Sequence, residues 1–104
     1  ESIRERVVMA HKRQRERYEK EGFFYNSQIP AKKIATFCAL KKDEKRHMQQ
    51  IYETLNLSVR SYHKILKTAR TIADIEGSEE IRMEHLHEAI CYRSIDSDFW
   101  ERRR

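Results

Sequence analysis

The chain has 104 residues, 38% of them charged and 38% hydrophobic, with two Gly, one Pro and two Cys. That length is one domain, and Gly plus Pro, about 12% of residues on average, are too scarce here for a many-stranded β fold or a phosphate-cradling glycine loop. The expectation is an all-α domain, a small bundle of about five helices, with no apolar run near the ~20 residues of a membrane span and no secretory leader.

Ser2 can cap a first helix, with Glu5 three residues on as a capping box. Ile3, Val7, Ala10, Gln14 and Tyr18 then recur at helical spacing, which predicts a helix over about 3–21 ended by Gly22. Its other face carries Arg4, Arg6, Lys12, Arg13, Arg15 and Arg17, a solvated cationic run or, in the sharper reading, a track for a phosphate backbone. The cluster Phe23-Phe24-Tyr25 lies in a segment without helical signals and docks the linker onto the core, with base stacking as the alternative. Pro30 sits where a helix can begin, and Ile34, Phe37, Cys38 and Leu40 give a short second helix over about 31–39.

A third helix starts at Asp43 with Met48, Ile51, Tyr52 and Leu55 as its apolar stripe, and Asn56 breaks it. Ser58 then caps the best-patterned element, in which Val59, Tyr62, Ile65, Leu66, Ala69, Ile72, Ala73 and Ile75 share one broad face. This is the expected central helix, with Gly77 as its C-terminal stop. A last helix over about 83–92 uses Met83, Leu86, Ala89, Ile90 and Tyr92. Residues 1–93 are read as one domain and 94–104 as an extended tail.

The formal charge of +5 is unevenly spread: +2 over residues 1–30, +5 over 31–76, −5 over 77–101 and +3 in the final three arginines. A basic middle suits nucleic acid, nucleotide phosphate or an acidic neighbour, and equally a charged surface with no ligand. Within it, Arg60 stands out. It falls at the second helical position after the Ser58 cap, where the positive end of the macrodipole disfavours a cation by a few tenths of a kcal/mol up to about 1. Lys64 and Lys67 follow at i+4 and i+7, so the three cations form one stripe. A bound polyphosphate would meet both the charges and the free N–H groups of the helix end; a tolerated surface Arg is the plain alternative.

Arg70 and Asp74, at i and i+4, read as an ordinary structural pair. His85 and His87, two apart, point to different faces of a helix and make a poor metal site. His63 lies next to the basic stripe and could touch a ligand, whereas His11 and His47 give no signal. Cys38 and Cys91 lie far apart with no Cys or His at metal-ligand spacing, so no metal site is expected and a reducing, cytoplasmic compartment is. No nucleophile–histidine arrangement and no G-x-x-x-x-G-K-[ST] motif is present, so these residues alone do not hydrolyse nucleotide.

Three segments carry a family resemblance: Asn26-Ser27-Gln28-Ile29-Pro30, the run from Leu57 to Gly77, and the run from His85 to Arg93. Together they resemble the C-terminal domain of magnesium-chelatase-like AAA+ ATPases of the ComM/YifB type, and Arg13-Gln14 looks like that family's Arg-Gln pair. The resemblance covers nearly the whole chain and implies a helical lid preceded by a P-loop ATPase domain that binds ATP and Mg2+. It further implies neighbouring subunits in a hexameric ring and DNA as the substrate of the assembly, in recombination or natural transformation.

On that resemblance Arg60 matches the sensor-2 arginine, which reaches from the lid to the γ-phosphate. Lys64, a possible second nucleotide contact, and Lys67 stand where the family usually has Arg, so bidentate geometry is lost there. Ala31 replaces a common Gly, a change expected to touch only the loop. Two rivals remain: a stand-alone basic module that binds DNA through Lys12, Arg13, Arg15 and Arg17 or through the 31–76 stretch, and the lid of a true magnesium chelatase of tetrapyrrole synthesis.

Overall fold

A computed structural model of the chain describes residues 2–92; the expected tail lies outside them. Helix α1 spans Ile3–Arg17, and Ser2 Oγ accepts the Glu5 N–H at 3.2 Å as the N-cap. Its inward side is narrow. Ala10 and Gln14 are buried, while Ile3, the first residue of the expected stripe, is 78% exposed.

The helix stops four residues short of the predicted end. Tyr18 is the cause: its ring is buried between Phe23 and Phe37, with centroids 4.8 and 5.0 Å away, and its hydroxyl donates to Asn26 Oδ1. The chain turns immediately after Tyr18, and Gly22, at φ +79°, closes that turn rather than the helix. Of the aromatic cluster only Phe23 docks onto the core; Phe24 and Tyr25 stay exposed.

Two 3-10 turns, Asn26–Gln28 and Ala31–Lys33, flank Pro30, and α2 is a single turn, Ile34–Phe37. The expected helix over 31–39 is therefore split, its first part being 3-10 and its end falling at the buried Cys38. The loop is tied together locally: Gln28 Oε1 accepts the N–H groups of Phe24 and Tyr25 at 2.9 and 3.0 Å. Helix α3, Lys42–Thr54, buries Met48. Asn56 ends the element in the left-handed conformation, φ +50°, which Asn tolerates better than most residues. Leu57, just past that break, is buried, whereas Leu55 stays exposed.

Helix α4, Val59–Glu76, runs between the two predicted caps. Ser58 Oγ accepts the Ser61 N–H at 3.0 Å, and Gly77 adopts φ +79° while the Ser78 N–H reaches back to Ala73 O at 2.8 Å, the closure typical of a glycine-stopped helix. It packs against α1, α2 and the turn at Asn26–Gln28. A final helix, α5, occupies residues 83–92 and buries Leu86 and Ala89. One core forms around Ile65, Leu66 and Ala69 of α4, joined by Ile34 of α2, Met48 of α3, Leu86 of α5 and Tyr18 just beyond the end of α1. Each such large apolar side chain contributes about 1.5–3 kcal/mol by leaving water. Among the described residues there is no strand and no helix long and apolar enough to cross a membrane.

Candidate functional site

The N-terminal half of α4 forms one wall of an open groove of about 680 Å³. Arg60, Lys64, Lys67 and Thr71 follow one another at three- or four-residue spacing, so they rise along one helix face. Ser27 and Ala31, from the loop on either side of Pro30, supply the facing wall, and Val59, His63 and Thr68 complete the lining. Ala31 is thus part of the groove itself, not only of the loop as expected from the sequence.

Arg60 is exposed and, among the described residues, has no hydrogen-bond or ion-pair partner. Ser58 takes up the Ser61 N–H, while the N–H groups of Val59 and Arg60 have no acceptor within the helix. Lys67 bridges the two walls, its Nζ donating to Ser27 O at 3.2 Å. Thr71 Oγ1 donates to Lys67 O and accepts from Asn26 Nδ2, both at 3.0 Å. The arrangement offers cations and free backbone donors to an anion from one side, the combination that binds phosphate at helix ends.

Behind the groove lies a polar cluster that the sequence conceals. Asp74 is fully buried, and Arg17 grips it with two hydrogen bonds, Nη2 to Oδ1 at 2.6 Å and Nη1 to Oδ2 at 3.0 Å. Arg70 Nη2 lies 3.1 Å from the same carboxylate, and Asn26 Nδ2 donates to it at 2.9 Å. Arg70 also ties down the chain after α4, donating to Ser78 O and Glu79 O at 2.7 and 2.9 Å. Asn26 is the second node, since its N–H donates to Gln14 Oε1 at 3.0 Å. Burial works to lower the pKa of Arg17, but the hydrogen bonds to Asp74 and Tyr18 outweigh it and the value is raised. Arg70 and Asp74 do form the structural i, i+4 pair expected from their spacing, but within a larger buried hub with partners from α1 and the Asn26 turn.

The hub also divides the cationic run of α1. Arg13 Nη1 donates to the backbone oxygen of Asp74 at 2.8 Å, and Arg17 holds its carboxylate, so both turn inward. Lys12 and Arg15 stay on the exposed side, where they share a shallow depression with Glu16 and Glu19. The four residues do not form a single basic stripe. The spacing of Arg13 and Arg17, four apart and one short of the Gln14–Tyr18 pair, is the only sequence signal that could have separated them.

Among the histidines, His85 caps α5: its Nδ1 accepts the Arg82 N–H at 2.9 Å. That bond leaves the proton on Nε2, which lies 3.3 Å from Glu76 Oε2, out of line for a full hydrogen bond. Glu76, Glu84 and His85 stand close enough to surround a cation, but an Nε2 that carries the proton has no lone pair to offer one. His63 lies beside the basic stripe as expected, its ring 6.2 Å from that of Tyr62.

Residues 1–93 match the family described as magnesium chelatase, subunit ChlI C-terminal. The chain is 39% identical over 95 residues to the protein YifB of Salmonella typhimurium and 37% identical over 95 residues to YifB of Escherichia coli, in each case covering 91% of this chain. It is 39% identical over 93 residues to the competence protein ComM of Haemophilus influenzae, covering 89% of this chain. The match spans 18% of the length of each of these relatives. No solved structure matches the chain.

Proposed function

Because the chain belongs to the magnesium chelatase ChlI C-terminal family, we propose that it is the helical lid of an AAA+ ATPase and that Arg60 is its sensor-2 arginine. In this reading a P-loop domain outside these residues holds ATP and Mg2+, the lid closes over the nucleotide, and Arg60 reaches the γ-phosphate. Lys64 stands one turn behind it as a second, monodentate contact. The observation that carries the reading is the isolation of Arg60: an exposed guanidinium without a partner among the described residues, at the helix end where the macrodipole opposes it, facing an open groove. Phosphate reverses that opposition, because it draws on the guanidinium and on the free N–H groups together.

The mechanism follows from what hydrolysis removes. While the γ-phosphate is present, Arg60 makes a charge-assisted contact that stabilises the closed lid; when it leaves, the contact goes and the lid is released. The parent assembly is a ring whose neighbouring subunits pack against the lid, and it works on DNA in the cytoplasm, in recombination or natural transformation. The likeness to a competence protein supports that pathway over tetrapyrrole synthesis. The inward turn of Arg13 and Arg17 weighs against a stand-alone module that binds DNA through the four cations of α1, and leaves the 31–76 stretch as the route for that alternative. In the full-length protein, Arg60→Ala is expected to leave folding intact and to reduce ATP hydrolysis by about 10²-fold or more, the scale of losing a transition-state charge contact. A wild-type rate in that variant sinks the assignment.

A further inference from the structure

We propose that His47 of α3 and His87 of α5 form a binding site for a divalent transition-metal ion of the Ni2+ or Cu2+ type. The two residues are 40 positions apart, yet their Nε2 atoms stand 3.0 Å from each other, with ring centroids 4.9 Å apart and ring planes crossed at 71°. Two nitrogens at that distance cannot both carry protons facing each other. In the neutral pair one donates and the other accepts; a metal ion between them instead uses a lone pair from both.

The spacing also selects the ion. Imidazole nitrogens bind at about 2.0–2.1 Å, so two of them 3.0 Å apart subtend about 90° at a shared ion, whereas a tetrahedral ion needs them about 3.4 Å apart. Near-right-angle nitrogen pairs are the cis positions of square-planar and octahedral ions, which favours Cu2+ and Ni2+ over Zn2+. His87 is exposed and His47 half-exposed, so water can occupy the remaining positions. The ligands come from two different helices, already at the required separation, so binding asks for little rearrangement and ties α3 to α5. The site shares no residue with the Arg60 groove and does not depend on the lid reading.

The test is calorimetric titration of the 104-residue chain with NiCl2 and, separately, ZnCl2, with Cys91→Ser as the common background so that the exposed thiol does not capture metal. One Ni2+ per chain is expected, bound several-fold more tightly than Zn2+. His47→Gln and His87→Gln are each expected to weaken Ni2+ binding at least tenfold, while His63→Gln leaves it unchanged. Helix content by circular dichroism, and melting temperature without metal, verify that the two substitutions leave the fold in place. Melting with Ni2+ gives a second readout, a rise seen only when both histidines are present. Retained Ni2+ binding in either Gln variant, tighter binding of Zn2+ than of Ni2+, or no saturable binding below millimolar Ni2+ overturns the proposal.

Discussion

Helix α4 presents two sets of cations that end in opposite states. Near its N-terminus Arg60 is exposed and unpartnered among the described residues, and it faces an open groove. Near its C-terminus Arg70, with Arg17 and Arg13 from α1, is engaged by Asp74 and by backbone carbonyls. The residue types match; burial and partner separate them. A guanidinium beside a buried carboxylate is structural, whereas one held in the open at the unfavourable end of a helix is available for a ligand. Residue type alone therefore assigns no role to an arginine in this chain.

The largest effect is expected at the closed end. Asp74→Ala leaves Arg17 and Arg70 without their carboxylate, and breaking a buried pair by removing one partner costs about 3–5 kcal/mol. Urea denaturation is expected to register that loss as a lower midpoint or as failure to fold; Arg17→Ala removes only one of the two guanidiniums and is expected to fall between Asp74→Ala and wild type. A loss under about 1 kcal/mol for Asp74→Ala, the scale of an exposed pair, would mean that the hub contributes little and that its contrast with the groove is one of geometry only.

An alkaline limb comes next. Burial pushes the Cys38 thiol up from its ordinary value near 9 to about 11, and burial likewise raises the Tyr18 hydroxyl. Both groups are held neutral in the fold and ionise more readily once unfolded. Their stabilising contribution is thus complete below about pH 9 and declines as pH rises toward 11; for Cys38 it amounts to about 2–3 kcal/mol. Stability measured from pH 7 to 11 is expected to fall, and Cys38→Ala to flatten the fall. Thiol labelling at neutral pH provides a parallel measurement, with the exposed Cys91 reacting quickly and Cys38 only through unfolding. A smaller change is expected from Gly77→Ala. The residue sits at φ +79°, and an added Cβ would come within 3.3 Å of the Arg13 guanidinium, so a destabilisation of about 1–2 kcal/mol follows from the left-handed backbone alone.

These regions also differ in how well the sequence reveals them. The groove wall is local: Ser58, Gly77 and the cations between them are close in the chain, and caps and helical spacing act over a few residues. That is why α4 has both of its predicted ends and why spacing alone singles out Arg60. The hub is long-range. Asp74 is 57 residues from Arg17 and 48 from Asn26, and no local rule joins them, so the Arg70–Asp74 spacing reads only as an ordinary structural pair and its other partners stay hidden. The early end of α1 has the same origin, because Tyr18 leaves the helix to reach Asn26 and Phe37. The meeting of His47 and His87 is equally invisible until α3 and α5 are packed together.

The smallest expected effect on stability is also the most diagnostic. Arg60→Ala removes an exposed side chain with no partner among the described residues, so stability is expected to change by no more than about 0.5 kcal/mol. Its sign is informative, since removing a cation from the positive end of the macrodipole relieves an unfavourable interaction and places the shift toward slight stabilisation. Arg60→Glu is expected to stabilise further, as an acidic residue in the first turn does, while abolishing ATP hydrolysis in the full-length protein. Stability rising as activity is lost is the signature of a residue kept for its ligand. A clear loss of stability in either variant would instead give Arg60 a structural partner and erase the difference between the two ends of α4.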